Sequence, residues 1–224
     1  MKARYQEITS EIFQVGGSGL TAAEDAAVYL ICFGGRGALV DAGCGGSVDQ
    51  LLENVRGAGF DPSALELLLI THCHFDHTGG AAALRNRLDL TVVAHQLDAV
   101  YLERGDRQVT AASWYGGHLA PVVIDRKLAA PEEAILLGKR LIQAYHVPGH
   151  SPGSVVYLTE SEEKKVLFAQ DVHGPLHPDL LSEAAAYRRS LNQMVGLSPD
   201  ILCEGHYGVI RGKSAAADFI RSFL

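Results

Sequence analysis

THCHFDHTGG, residues 71–80, begins on the last residue of LELLLIT (65–71), an apolar run of strand length. In an extended segment alternate side chains share a face, so His72 and His74 point together while Cys73 points away. Two imidazoles so placed can bind one metal ion. Asp76 and His77 come after the chain begins to turn and can face a second ion close by. The alternative is a polar loop whose histidines merely face solvent. It fits poorly with imidazoles and a carboxylate crowded at a strand end beside a helix start. A helix N-terminus carries partial positive charge and repels cations, and Asp76 can offset that.

Three more ligand-type residues follow expected strands. His150 comes after a strand at 140–146 and a Val-Pro-Gly turn, Asp171 closes KVLFAQD, and His206 follows ILCEG. Each alone is ordinary. Together they repeat one pattern, since sites in sheet proteins are commonly assembled at the C-terminal ends of strands. GHSPG (149–153) has a competing reading as Gly-x-Ser-x-Gly, the nucleophile elbow of serine hydrolases, with Asp171 and His206 downstream in the required order. That elbow needs the residue after the serine to donate its backbone N–H to an oxyanion, and Pro152 has none. A strand, SVVYLTE, follows where the elbow needs a helix. His150 is therefore the functional residue and Ser151 a turn residue.

The rest of the chain bounds this chemistry. Its 224 residues, 47% hydrophobic, suffice for one buried core and are too few for two ordinary domains, so one domain over 1–224 is expected. Net charge is −7 and basic residues are scattered, which argues against a nucleic-acid partner. Apolar runs fall far short of the ~18 residues of a membrane span, and MKARYQEITSEIF lacks a signal peptide's apolar stretch. Four cysteines without a Cys-x-x-Cys pair read as reduced thiols of a cytoplasmic protein. The glycine clusters at 16–19 and 34–37 fit turns and match no phosphate-binding pattern.

Short apolar runs predict strands at 11–15, 27–33, 38–42, 65–71 and 91–94, then near 134–137, 140–146, 153–159, 165–170 and 200–204. Helices are expected at about 47–57, 78–88, 95–103 and 182–195, and from 213 onward. Strands precede helices in both halves, which implies an α/β (α+β) fold of two mixed sheets stacked face to face with helices outside. Residues 104–121 carry no clear period, and a loop of that length is usually functional or disordered. Within it, 104–118 is expected to cover the substrate, with Trp114 and Tyr115 as contact surface, Gly116-Gly117 as hinges and His118 as a polar contact. A subunit interface or satellite core is the competing role for Trp114. His173 and His177, just past Asp171, and Tyr207, beside His206, are further substrate-binding candidates. His146 reads as a core or edge histidine and His95 as a helix start.

THCHFDHTGG, VPGHSPGS, LFAQD and CEGH resemble, in order and approximate spacing, the motifs of the metallo-β-lactamase superfamily, and the resemblance runs from ALVDAG at 38–43 to the closing helix. It implies the four-layer αβ/βα sandwich of that fold. It also implies His72, His74 and His150 as ligands of a first metal, Asp76, His77 and His206 of a second, and Asp171 bridging both, with Asp41 supporting the histidines. Two divalent ions held by nitrogen and oxygen suit zinc, with iron or manganese as alternatives. A bridging hydroxide, available near neutral pH, would attack an ester, lactone or thioester carbonyl of a small molecule, with Asp76 assisting the leaving group.

Several branches of the superfamily fit less well. Zinc β-lactamases commonly carry Cys or Ser where Asp171 stands and are exported, and flavodiiron enzymes usually carry Glu where His74 stands. Glyoxalase II enzymes add a C-terminal extension, and the RNA-processing branch needs basic surfaces. A mononuclear-iron persulfide dioxygenase is the alternative enzyme. A non-catalytic metal-binding module would be expected to have lost ligands, and none of the seven is missing.

Overall fold

Alternation within the short apolar runs decides the layers. In the computed structural model, which describes residues 2–169 and 171–224, β1 (Gln6–Thr9), β2 (Ile12–Gly16), β3 (Val28–Phe33) and β4 (Arg36–Val40) pair antiparallel in chain order. Helix α1 (Val48–Gly57) then leads to β5 (Leu65–Leu69), which joins β4 in parallel. The short α2 (Phe75–Thr78) and α3 (Ala81–Leu88) lead to β6 (Thr91–His95), and α4 (Gln96–Arg104) and a long loop lead to β7 (Arg126–Leu128), both again parallel. The second sheet begins with β8 (Glu132–Leu137), β9 (Arg140–His146), β10 (Val155–Ser161) and β11 (Lys164–Phe168), an antiparallel meander. After α5 (Ala184–Leu197), β12 (Ile201–Glu204) adds parallel to β11, β13 (Gly208–Arg211) closes the edge, and α6 (Lys213–Arg221) follows.

Side chains of one parity meet between the sheets: Tyr29, Ile31, Val40 and Leu69 from the first, Ile142, Tyr157, Val166 and Phe168 from the second. The other parity faces helices. Leu30, Leu39, Leu68 and Val92 pack on Leu51, Val55, Leu84 and Leu102 of α1, α3 and α4. Val156, Leu167 and Leu202 pack on Tyr187, Leu191, Met194 and Ile220 of α5 and α6. The result is the four-layer αβ/βα sandwich of two mixed sheets. Each fully buried aliphatic or aromatic side chain contributes about 1.5–3 kcal/mol, so truncating Phe168 between the sheets costs about 3–5 kcal/mol.

Two buried phenols join the sheets beside the strand ends that carry the candidate ligands. Tyr157 on β10 donates to the Ile70 carbonyl (2.8 Å), and Tyr29 on β3 donates to the Glu204 carbonyl (2.8 Å). Burial pushes both phenols well above their ordinary pKa, so they remain donors.

The structure departs from the sequence expectations in three ways. Strands β4 and β5 stop at Val40 and Leu69, short of the expected 42 and 71, because the chain leaves each sheet to build the site. The helix expected over 78–88 is broken at Gly79-Gly80. A β-carbon on either glycine would overlap a carbonyl oxygen, that of Cys44 or of Ala42. The strands β1, β7 and β13 were not expected. They have three or four residues each, too short for a clear period, and exist through pairing with a neighbour. Among the described residues no helix is long and apolar enough to cross a membrane.

Candidate metal centre

The segment after β5 bends at Thr71 and is extended at His74, and the side-chain alternation expected there is kept outside the sheet. Cys73 points into the helix-side core, while the rings of His72 and His74 lie 4.4 Å apart. His74 ends the extended segment and begins α2, whose first turn carries Asp76 and His77. The turn after β9 brings His150 to 4.5 Å from the His74 ring. Asp171 follows β11 with a positive φ of 50°, a conformation that non-glycine residues adopt at a cost and that aims this carboxylate into the cluster. His206 follows β12.

All seven candidates therefore converge. Ligand-type atoms of His72, His74, His150 and Asp171 form one group and those of Asp76, His77 and His206 a second, each within 4.8 Å. Asp171 lies between them. Its Oδ2 is 3.2 Å from His150 Nε2 and 3.6 Å from His72 Nε2, and its Oδ1 is 3.1 Å from His77 Nε2 and 3.3 Å from His206 Nε2. Asp76 Oδ2 is 3.2 Å from His206 Nε2. Two nitrogen or oxygen ligands at 2.0–2.1 Å from a tetrahedral ion sit about 3.3 Å apart, so these separations suit a shared cation. The Nε2 atoms of His72, His74, His77 and His150, and Oδ1 of Asp171, are buried with no hydrogen-bond partner. Such groups are rare, and five converging on one spot fit metal ions.

The far side of several imidazoles is fixed. Asp41, at φ 63°, accepts from His77 Nδ1 (2.7 Å), from the Thr71 backbone N–H (2.8 Å) and from the Thr71 hydroxyl (2.7 Å). His150 Nδ1 bonds the Pro175 carbonyl (3.0 Å), leaving Nε2 to face inward. Electrostatics sort the histidines. Burial, reinforced by neighbouring histidines, pushes His72 and His74 well below the usual imidazole range, so they are neutral and their lone pairs free. Burial opposes charge on His206 too, but the Asp171 and Asp76 carboxylates beside it outweigh that and raise its pKa to about 9.

The sequence profile of the metallo-beta-lactamase superfamily matches residues 23–206, a span that contains all seven candidates. The chain belongs to the metallo-beta-lactamase superfamily. The chain is 32% identical over 166 residues to the acyl-coenzyme A thioesterase MBLAC2 of Gallus gallus, covering 65% of this chain and 56% of that protein. It is 34% identical over 133 residues to a hydroxyacylglutathione hydrolase of Anaeromyxobacter dehalogenans, covering 59% of this chain and 42% of that protein. The chain thus spans about half the length of these curated relatives. Among solved structures, the class B3 di-zinc metallo-beta-lactamase LRA-12 from an Alaskan soil metagenome superposes with a TM-score of 0.77 at 26% identity, over 92% of this chain and 79% of that one.

The substrate candidates divide. A cavity of about 200 Å³ opens onto the candidate ligands, lined by Trp114, Tyr115, His173 and His206 with His74, Asp76 and Asp171. Trp114 is 49% exposed and Tyr115 44%, so Trp114 plugs no satellite core. Their loop is anchored beneath them, because Val109, Ala111 and Ala112 are buried and the Thr110 carbonyl accepts from the Phe75 N–H (2.7 Å). Tyr207, 61% exposed, borders a second cavity of about 330 Å³ on the other side of His206. His177 meets the edge of Trp114 but lies outside both linings, and so does the exposed His118.

His146 and His95 are a stacked pair, 3.8 Å between centroids, with His146 Nε2 bonded to the Pro152 carbonyl and His95 opening α4. Cys203 lies in the inter-sheet core, away from the site. Ser151 is no nucleophile. It is fully buried and its hydroxyl donates to Asp98 (2.6 Å). Sequence reasoning missed Glu204, a buried carboxylate that accepts from His173 Nδ1 (2.8 Å) and from the backbone N–H groups of His206 (2.7 Å) and Tyr207 (2.9 Å). The available signal was a charged residue ending the apolar strand ILCE, which needs partners if buried.

Proposed function

We propose that this chain is a dinuclear-metal hydrolase of small-molecule esters, lactones or thioesters. The observation that carries this reading is the set of five buried, partnerless nitrogen and oxygen atoms on His72, His74, His77, His150 and Asp171. His72, His74 and His150 would hold one ion, Asp76, His77 and His206 the other, and Asp171 both. Nitrogen and oxygen ligands favour zinc, with iron or manganese able to substitute. Divalent ions there supply Lewis acidity and a water activated near neutral pH.

The protein's own groups do the rest. Asp41 and the Pro175 carbonyl hold His77 and His150 in the tautomer whose Nε2 faces inward. Asp76, which lines the cavity, would take the catalytic role of accepting a proton from the attacking water and passing it to the departing group. Trp114, Tyr115 and His173 wall the cavity that would receive the substrate, while Tyr207 borders the second cavity. The names of the two relatives, an acyl-coenzyme A thioesterase and a hydroxyacylglutathione hydrolase, favour an acyl substrate. No nucleic-acid or membrane partner is invoked, since the chain carries net charge −7. Four unpaired cysteines suit a reducing cytoplasm.

The test is elemental analysis of natively purified protein together with a panel of lactones, thioesters and persulfides. Two metal equivalents and ester, lactone or thioester turnover lost on chelation are expected. A stable, fully active protein with one iron would overturn the dinuclear hydrolase and favour a persulfide dioxygenase.

A further inference from the structure

Asp98 belongs to neither ligand group, yet it touches the chain segments on which the first group is built. It lies in the first turn of α4 and is 1% exposed. Its Oδ2 accepts from the Cys73 backbone N–H (2.9 Å) and from the Ser151 hydroxyl (2.6 Å). Its Oδ1 accepts from the Gly153 backbone N–H (2.6 Å). Cys73 stands between His72 and His74, and Ser151 directly follows His150. The first segment leaves β5 of one sheet, and the second joins β9 to β10 of the other. One carboxylate thus bridges the two sheets at the point where three imidazoles must meet.

The sequence around His150 is shaped to this carboxylate. A β-carbon on Gly153 would lie 2.7 Å from Asp98 Cγ and Oδ1, so any larger residue there displaces the acceptor. Ser151 supplies a hydroxyl donor, and Ser154 Oγ, 2.8 Å from Ser151 Oγ, also accepts from the Ser151 N–H (3.1 Å). Gly-His-Ser-Pro-Gly therefore combines an inward imidazole with two positions that serve Asp98. Three short bonds, at 2.9, 2.6 and 2.6 Å, converge on one buried carboxylate and fix both of its oxygens.

We infer that Asp98 is a positioning residue of the metal centre, a clamp that holds His72, His74 and His150 at the spacing a single ion requires. The inference rests on the reading of those histidines as ligands. Losing the clamp frees two segments that otherwise belong to different sheets. Removal of groups that orient metal ligands typically weakens metal binding 10–100-fold.

Asp98→Asn is the direct test. The amide keeps the size of the carboxylate, but in either orientation its –NH2 faces a backbone N–H, that of Cys73 or of Gly153. Zinc affinity of the full chain is measured by competition with a chromophoric chelator, alongside the visible spectrum of the cobalt(II)-substituted protein and the Tm of the metal-free form. The expected result is a roughly 10–100-fold loss of first-site affinity and an altered cobalt spectrum. Ser151→Ala, which removes one donor of three, should move both readouts in the same direction by less. It decides the matter if Asp98→Asn fails to fold. Variants that lower the metal-free Tm while binding zinc and cobalt as the wild type does would overturn the inference and leave Asp98 a fold-stabilising residue. A wild-type chain that takes up no metal would instead sink the metal-centre reading, and the clamp with it.

Discussion

Glu204 invites a pair of substitutions whose outcomes should differ. Its Oε2 accepts from two backbone N–H groups at His206 and Tyr207, and its Oε1 from His173 Nδ1. Glu204→Ala removes both acceptor oxygens and with them all three bonds. The two N–H groups border water, so each costs about 1 kcal/mol, the low end for an unsatisfied donor. The side chain is fully buried, and the lost methylenes and residual cavity add about 2 kcal/mol. The total is about 4 kcal/mol, which for a chain of this size lowers Tm by roughly 8–16 °C. Glu204→Gln behaves otherwise. Its carbonyl oxygen can keep both backbone bonds, and its –NH2 then faces His173 Nδ1, which accepts if the ring changes tautomer. That exchange should cost about 1 kcal/mol or less, a neutral bond for a charged one.

Both variants should be unfolded in denaturant, with and without metal, and assayed for turnover. The alanine variant should also lose affinity at the second ligand group, because the His206 segment loses its anchor. The glutamine variant should retain metal while changing the donor that His173 presents to the cavity. Equal destabilisation by the two substitutions would refute the tautomer exchange, and a wild-type Tm in Glu204→Ala would refute the anchoring role itself.

Three further outcomes are expected. His150→Ala should abolish turnover and lower metal content by about one equivalent, read by elemental analysis; full metal retention would exclude His150 as a ligand. Trp114→Ala should raise KM or lower kcat/KM with metal content unchanged. Unaltered kinetics with the roughly 3–5 kcal/mol loss of a core truncation would dispose of a substrate contact. His95 is held near pKa 4 by burial and by the stacked His146, against 6.5 for the free side chain. Its folded-state pKa is depressed, so the unfolded chain binds the extra proton. Stability should therefore fall by up to about 3 kcal/mol as pH drops from about 6.5 to 4. His95→Gln should flatten that part of the denaturant-midpoint profile, and an unchanged slope would reject the assignment.

The candidate cluster was legible in the sequence partly through local geometry and partly through its resemblance to the superfamily's motifs. Alternation at a strand end predicts His72 and His74 on one side of the chain and Cys73 on the other, as the structure has them. The apolar runs likewise announced two sheets, since residues of one parity in Val28–Phe33 or Lys164–Phe168 must find a second apolar surface. Pro152 and the strand that follows it argued against a nucleophile elbow at Ser151.

What the sequence left open depends on partners distant along the chain. Asp98 reads as an ordinary acidic residue in the first turn of a helix. Only the packing of α4 against the turn from the opposite sheet places Ser151 and Gly153 on its carboxylate. Glu204 and Thr71 likewise find their roles through His173 and Asp41. The Trp114–Tyr115 tip could have been core, interface or cavity wall until the burial of Val109–Ala112 fixed which part of the loop is anchored. The seven candidate ligands are set by backbone direction at strand ends. The groups that aim them are set by which strand ends the sandwich brings together, and that is decided by long-range burial rather than by any local period.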